Sequence, residues 1–67
     1  MVVIINNSNI NLPTASNLET ALLQFGLQNK SGIAVAVNEL VIPKNQWESN
    51  ILNENDKILI ITPTQGG

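Results

Sequence analysis

Lys57-Ile58-Leu59-Ile60-Ile61-Thr62-Pro63-Thr64-Gln65-Gly66-Gly67 closes the sequence, and its reading decides the fold. The first five residues form a β-branched, apolar run of strand length. The run lacks the polar alternation of a strand with one wet face, which points to burial on both faces or to an exposed face that is apolar. Such a strand belongs in the middle of a small sheet. A short polar stretch follows, then two glycines. Glycine has no Cβ, so a Gly-Gly ending can thread a channel too narrow for other residues. With average glycine usage of about 7%, the pair arises by chance in roughly 0.5% of chains. Alone it fits a frayed terminus as well as a working tail; the remaining residues decide.

At the other end, Val2-Val3-Ile4-Ile5 is a second run without alternation and reads as a partner strand. Asn6-Asn7-Ser8-Asn9 reads as a turn, since asparagine tolerates the left-handed backbone region. Ile10-Asn11-Leu12 returns as the second arm of a hairpin, which Pro13 ends. A helix follows. Ser16-Asn17-Leu18-Glu19 fits a capping box, with the Ser16 hydroxyl as the cap and Glu19 reaching back. Leu18, Ala21, Leu22 and Phe25 fall on one helical stripe, and Gly26 suits the position that closes the helix. Lys30-Ser31-Gly32 reads as a loop. Ile33 to Val37 is a third strand, Asn38-Glu39 a turn, and Leu40-Val41-Ile42 a fourth strand. Pro43 cannot donate to a ladder, so that strand belongs at an edge. Lys44 to Asn53 is irregular, with Trp47 expected to anchor it on the core.

This order predicts an α+β fold: a mixed sheet of about five strands with one helix across one face. Strands one and five should lie parallel and adjacent in its centre. Leu18, Leu22, Phe25, Val3, Ile5, Val35, Val37, Ile58 and Ile60 are the expected core. The domain is expected to span 1–62, with 63–67 as a flexible tail. Strand parity puts Ile4, Leu59 and Ile61 on the face away from the helix. One helix covers one face, so Ile4, Ala34, Ala36, Leu59 and Ile61 are expected to form an exposed apolar patch. The patch is expected to dock a partner, the alternatives being self-association or coverage by the loop around Trp47.

The composition excludes several classes of function. The chain has 67 residues, three lysines, no arginine, five acids and a net charge of −2. A domain this small buries only about 60% of its unfolded surface and has little room for both a core and an active site. There is no cysteine for a disulfide or thiolate chemistry and no histidine, the commonest general base. Without a basic stripe, nucleic-acid binding is not expected. The apolar runs are far too short to span a membrane. Met1 leads straight into a strand rather than a signal peptide, so a cytoplasmic location is expected, or the stroma of an organelle.

Val35-Ala36-Val37-Asn38, Val41-Ile42-Pro43-Lys44, Trp47, Leu52, Asp56, the strand Lys57 to Ile61 and Gly66-Gly67 together resemble the ThiS family, the sulfur carriers of thiamine biosynthesis. The fold implied is the ubiquitin-like β-grasp. The resemblance covers essentially the whole chain. It departs at Asn55, where the family's turn has glycine, and at Lys44, where arginine is common.

The resemblance implies that Gly67 is the reacting residue, with Gly66 and Gln65 as the tail that delivers it. An E1-like adenylyltransferase of the ThiF type would activate the Gly67 carboxylate with ATP. A sulfur donor would then convert it to a thiocarboxylate, and a thiazole synthase of the ThiG type would take the sulfur. The chain itself would bind no cofactor and no metal and would not be an enzyme. From Pro63 to Gly67 an extended tail reaches on the order of 17 Å, enough to enter a buried site. The competing readings are the sulfur carrier subunit of molybdopterin synthase, a ubiquitin-like modifier of lysines, and an interaction domain with an idle tail.

Overall fold

A computed structural model describes residues 1–26 and 32–61. The elements are β1 (Val2–Ile5), β2 (Ser8–Asn11), α1 (Leu18–Gln24), β3 (Ala34–Val37), β4 (Leu40–Val41), a 3₁₀ turn at Lys44–Gln46, and β5 (Lys57–Ile61). One five-stranded sheet runs in the order β2-β1-β5-β3-β4. The first and last strands are adjacent and parallel, with Ile4 opposite Lys57 and Ile5 opposite Ile58. All other pairs are antiparallel. The sheet is therefore mixed and β5 occupies its centre, as its unalternating sequence requires. Residues 30 and 31 of the expected loop, residue 62 and the expected tail 63–67 lie outside the described residues.

Two tight hairpins set the registers. Asn6 and Asn7, at φ 48° and 71°, join Ile5 to its partner Ser8. Asn38 and Glu39, at φ 50° and 72°, join Val37 to its partner Leu40. Positive φ at both central residues is the two-residue turn whose twist suits a hairpin. The first turn is thus two residues, shorter than the four expected, and β2 begins at Ser8. Asn55, at φ 68°, takes the left-handed conformation that a glycine would otherwise supply.

Asn6 also extends the parallel ladder. Its Oδ1 accepts from the Ile60 N–H at 2.8 Å, and its Nδ2 donates to the Ile60 carbonyl at 3.4 Å. The side-chain amide thereby does what a further residue of β1 would do. Replacing Asn6 by alanine removes both bonds and leaves a Cβ without compensation at positive φ. A loss of about 2 kcal/mol is expected, and Asn6→Gly, which keeps the backbone preference, should lose less. Urea unfolding of the two variants checks the order; equal losses would remove the backbone contribution.

The helix is short and its amino end is held by the β4–β5 connection. Asn17, not Ser16, is the cap: its Oδ1 accepts from the Thr20 N–H at 2.8 Å. Ser16 Oγ instead donates to the Pro13 carbonyl. The two preceding helical N–H groups, on Leu18 and Glu19, donate to the carbonyls of Asn50 and Trp47. Every free donor of the first turn has a partner, which is what a buried helix start needs. Gly26, at φ 93°, follows the C-cap Phe25 as expected.

The core lies between the helix and one sheet face. Val3, Ile5, Val35, Ile58 and Ile60 from the sheet meet Leu18, Ala21 and Leu22 from the helix. Leu12, Val37, Ile42, Trp47 and Leu52 complete it. Trp47 is buried and its Nε1 donates to the Ile42 carbonyl at 2.9 Å, so it pins the irregular segment, as expected. Phe25 is a correction: it is 36% exposed and not part of the core. It sits at the C-cap, its N–H still bonded to the Ala21 carbonyl, and the chain turns away at Gly26 directly after it.

Asp56 is the one buried charged group among the described residues. Its Oδ1 accepts from Asn38 Nδ2 at 2.9 Å and its Oδ2 from the Asn53 N–H at 2.8 Å. Asn38 Oδ1 accepts in turn from the Lys57 N–H at 3.0 Å. The pair ties the β3–β4 turn to the start of β5, a satisfied polar contact of the kind burial demands.

Candidate functional site

The face of the sheet away from the helix is the open one. β5 alternates exposed and buried from Lys57 to Ile61, with Ile58 and Ile60 inward. Leu59 and Ile61 point outward and are 52% and 49% exposed. Antiparallel register sets Ala36 opposite Leu59 and Ala34 opposite Ile61. On the far side of β3, Val41 stands opposite Ala36 and is exposed. Ile4 is half-buried in β1, on the outward parity, beside the start of β5. Beyond it the outward positions of β2 are polar, Asn9 and Asn11. The apolar band therefore crosses β1, β5, β3 and β4 and ends at β2.

The five residues expected to form the patch share this face. Ile4 is half-buried, and Ala34, Leu59 and Ile61 are exposed. Ala36 departs from the expectation, being only 7% exposed. Its side chain is a methyl group between two larger cross-strand neighbours, which shade it. Val41 was not foreseen. The sequence does hold a signal for it, because a two-residue Asn38-Glu39 turn fixes Val41 opposite Ala36. Gln65, Gly66 and Gly67 lie outside the described residues.

A shallow pocket of about 240 Å³ opens on this face. Ile4, Ala36, Ile58 and Leu59 supply its apolar lining, and Asn6, Asn7, Glu39 and Lys57 its polar one. Among the described residues, no group of three or more potential metal-ligating side chains comes together. What the face offers is an apolar surface with charged groups beside it, on the strand that precedes the two glycines in sequence.

A five-stranded mixed sheet, with its first and last strands parallel at the centre and a helix laid across one face, is a ubiquitin-like β-grasp domain. Comparisons with known proteins carry this further. The ThiS family model matches residues 2–67, and the chain belongs to the ThiS family. The chain is similar to the sulfur carrier protein ThiS of Escherichia coli (strain K12), at 35% identity over 40 residues. That stretch is 60% of this chain and 61% of the relative. In fold, it resembles the crystal structure of a thiamine biosynthesis protein (ThiS) from Geobacter metallireducens. There the TM-score is 0.82 at 14% identity, with both chains fully covered. The solution structure of a thiamine biosynthesis protein from the same organism gives a TM-score of 0.74 at 16% identity, covering this whole chain and 88% of that one.

Proposed function

We propose that this chain is a sulfur carrier of thiamine biosynthesis that works through the carboxylate of Gly67. The observation that carries the reading is the family match, which runs through to residue 67 and so takes in Gly66-Gly67. An apolar sheet face on the strand leading to those residues supports it, since a carrier must be held by partners while its end reacts.

The chemistry follows from the poor electrophilicity of a carboxylate. The Gly67 carboxylate attacks the α-phosphorus of ATP in an E1-like adenylyltransferase of the ThiF type, and pyrophosphate leaves. A persulfide sulfur of the donor then attacks the acyl carbon and AMP leaves. A thiol cleaves the resulting S–S bond and becomes a disulfide with the donor sulfur, which leaves a terminal thiocarboxylate on the carrier. A thiazole synthase of the ThiG type accepts that sulfur. The chain contributes the reacting carboxylate, a narrow tail and a docking face. ATP and the catalytic groups belong to the partners, and the cytoplasm supplies them.

ATP–pyrophosphate exchange tests the first step. The adenylating enzyme should exchange labelled pyrophosphate into ATP only when this chain is present. An active enzyme that shows no chain-dependent exchange would contradict the carrier reading.

A further inference from the structure

The two central strands end at different levels. β1 stops at Ile5, opposite Ile58, whereas β5 runs on to Ile61. On the β3 side Leu59, Ile60 and Ile61 keep strand partners in Ala36, Val35 and Ala34. On the β1 side the backbone groups of β5 that point across belong to alternate residues. The Asp56 and Ile58 carbonyls accept from the Ile4 and Asn6 N–H groups at 2.9 and 3.0 Å. The next groups on that side are those of Ile60, and there β1 has already turned into its hairpin. The Asn6 side chain fills the place. Its Oδ1 accepts from the Ile60 N–H at 2.8 Å, and its Nδ2 donates to the Ile60 carbonyl at 3.4 Å.

The turn alone does not ask for this side chain. At φ 48° glycine serves as well as asparagine, but it has nothing with which to reach Ile60. Aspartate tolerates the same backbone and could accept from the N–H, yet it could not donate to the carbonyl when ionised. Of the residues that favour this conformation, asparagine supplies both an acceptor and a donor.

Ile60 is the last residue of the described core, and only seven residues, 61–67, follow it. We infer that Asn6 is a positioning residue for the Gly67 carboxylate: by clamping Ile60 it fixes the end of β5, from which residues 62–67 must reach the adenylating enzyme. The inference rests on the carrier reading. Without the clamp, Leu59 to Ile61 would be held by β3 alone. Freedom gained there has to be lost again each time Gly67 is placed against ATP. A looser end of β5 thus lowers the fraction of docked carriers whose carboxylate is in line to react. The loss falls after docking, so it appears in kcat and not in KM.

The test is ATP–pyrophosphate exchange by the adenylating enzyme, with the carrier concentration varied. Wild type, Asn6→Gly, Asn6→Asp and Asn17→Ala are compared at a temperature where thermal melts show each to be folded. Asn6→Gly should lose about tenfold in kcat, a part of the 100-fold that a misplacement of about 1 Å costs. Its KM for the carrier should stay at the wild-type value. Asn6→Asp retains the bond from the Ile60 N–H and should fall between the two; it decides the matter if Asn6→Gly does not fold. Hydrogen exchange should show the Ile60 amide losing protection in Asn6→Gly while the Leu59 amide, on the β3 side, keeps it. Asn17→Ala removes the helix cap and loses stability of a similar order, but its partners are Thr20 and Glu48 and not β5. It should keep the wild-type kcat. An equal fall in kcat for Asn17→Ala would reduce the effect to stability and overturn the assignment. Asn6 also lines the shallow pocket of the open face, so a raised KM at unchanged kcat would make it a contact of the enzyme, against the positioning role. Asn6→Gly at wild-type kcat and KM would overturn the inference and leave the carrier reading intact. A wild type that supports no exchange with an active enzyme would overturn both.

Discussion

Deletion of Gly67 is expected to abolish thiocarboxylate formation while leaving the stability of the domain unchanged. The shortened chain still ends in a carboxylate, but that group stands about 3.3 Å short of its place in the adenylating site. A misplacement of about 1 Å already costs on the order of 100-fold in rate. The described core ends at Ile60, so truncation seven residues beyond it should change stability by no more than about 0.5 kcal/mol. For a domain of this size that is roughly 2–4 °C in melting midpoint. Gly67→Ala should still bind the adenylating enzyme and react slowly, because its methyl adds bulk beside the attacked carbon. Thiocarboxylate yield by mass spectrometry, with a thermal melt of each variant, separates loss of chemistry from loss of fold. A deletion variant thiolated at the wild-type rate would leave the interaction-domain reading in place of the carrier.

Two neighbouring residues of β5 should respond in opposite ways to the same substitution. Ile60 is 6% exposed and packs in the core, whereas Leu59 is 52% exposed on the outward face. Ile60→Lys would bury an unpaired charge and remove apolar packing. Losing a buried isoleucine alone costs about 2–5 kcal/mol, and the buried charge adds to it. At roughly 0.05–0.15 kcal/mol per residue, a 67-residue chain holds about 3–10 kcal/mol in total. Ile60→Lys should therefore be largely unfolded at room temperature. Leu59→Lys, and Ile61→Lys on the same face, should melt within a few degrees of wild type and lose affinity for the adenylating enzyme. Circular dichroism melts and binding measurements on the pair check this. Equal unfolding of both would mean that the faces of β5 are assigned wrongly.

Much of the fold was legible because strands obey a period of two and turns have their own chemistry. The unalternating Val2–Ile5 and Lys57–Ile61 runs placed two strands in the sheet centre, and Pro43 placed the β4 end at an edge. What escaped depended on contacts distant in sequence. Ser16 and Asn17 are both good caps, and the choice fell to Asn17. Its Nδ2 also donates to the Glu48 carbonyl, which ties the cap to the β4–β5 connection. No local pattern foretells that. Phe25 fits the helical stripe by spacing, but the helix ends at Gln24 and the stripe ends with it. Asn38 reads as a turn residue in the sequence and sits in a turn, and the Asp56 N–H closes a turn on the Asn53 carbonyl. Only the pairing of β3 with β5 brings the two side chains together.

The apolar face was legible as a face and not as a surface with relief. Parity alone gave Ile4, Leu59 and Ile61. Ala36 is buried between Leu59 and Val41 through two different pairings, which parity does not encode. Asn38-Glu39 was legible as a turn, but glutamate by itself did not announce the positive φ it takes there.

The central claim is that the end of this chain carries sulfur, and one measurement addresses it directly. The purified protein is incubated with its adenylating enzyme, ATP and a persulfide donor, and its intact mass and carboxy-terminal peptide are recorded. The account predicts a single exchange of oxygen for sulfur, located at Gly67, that disappears when the enzyme, ATP or the donor is left out. An unchanged mass in the presence of an enzyme shown to be active, or sulfur found anywhere other than Gly67, would contradict it.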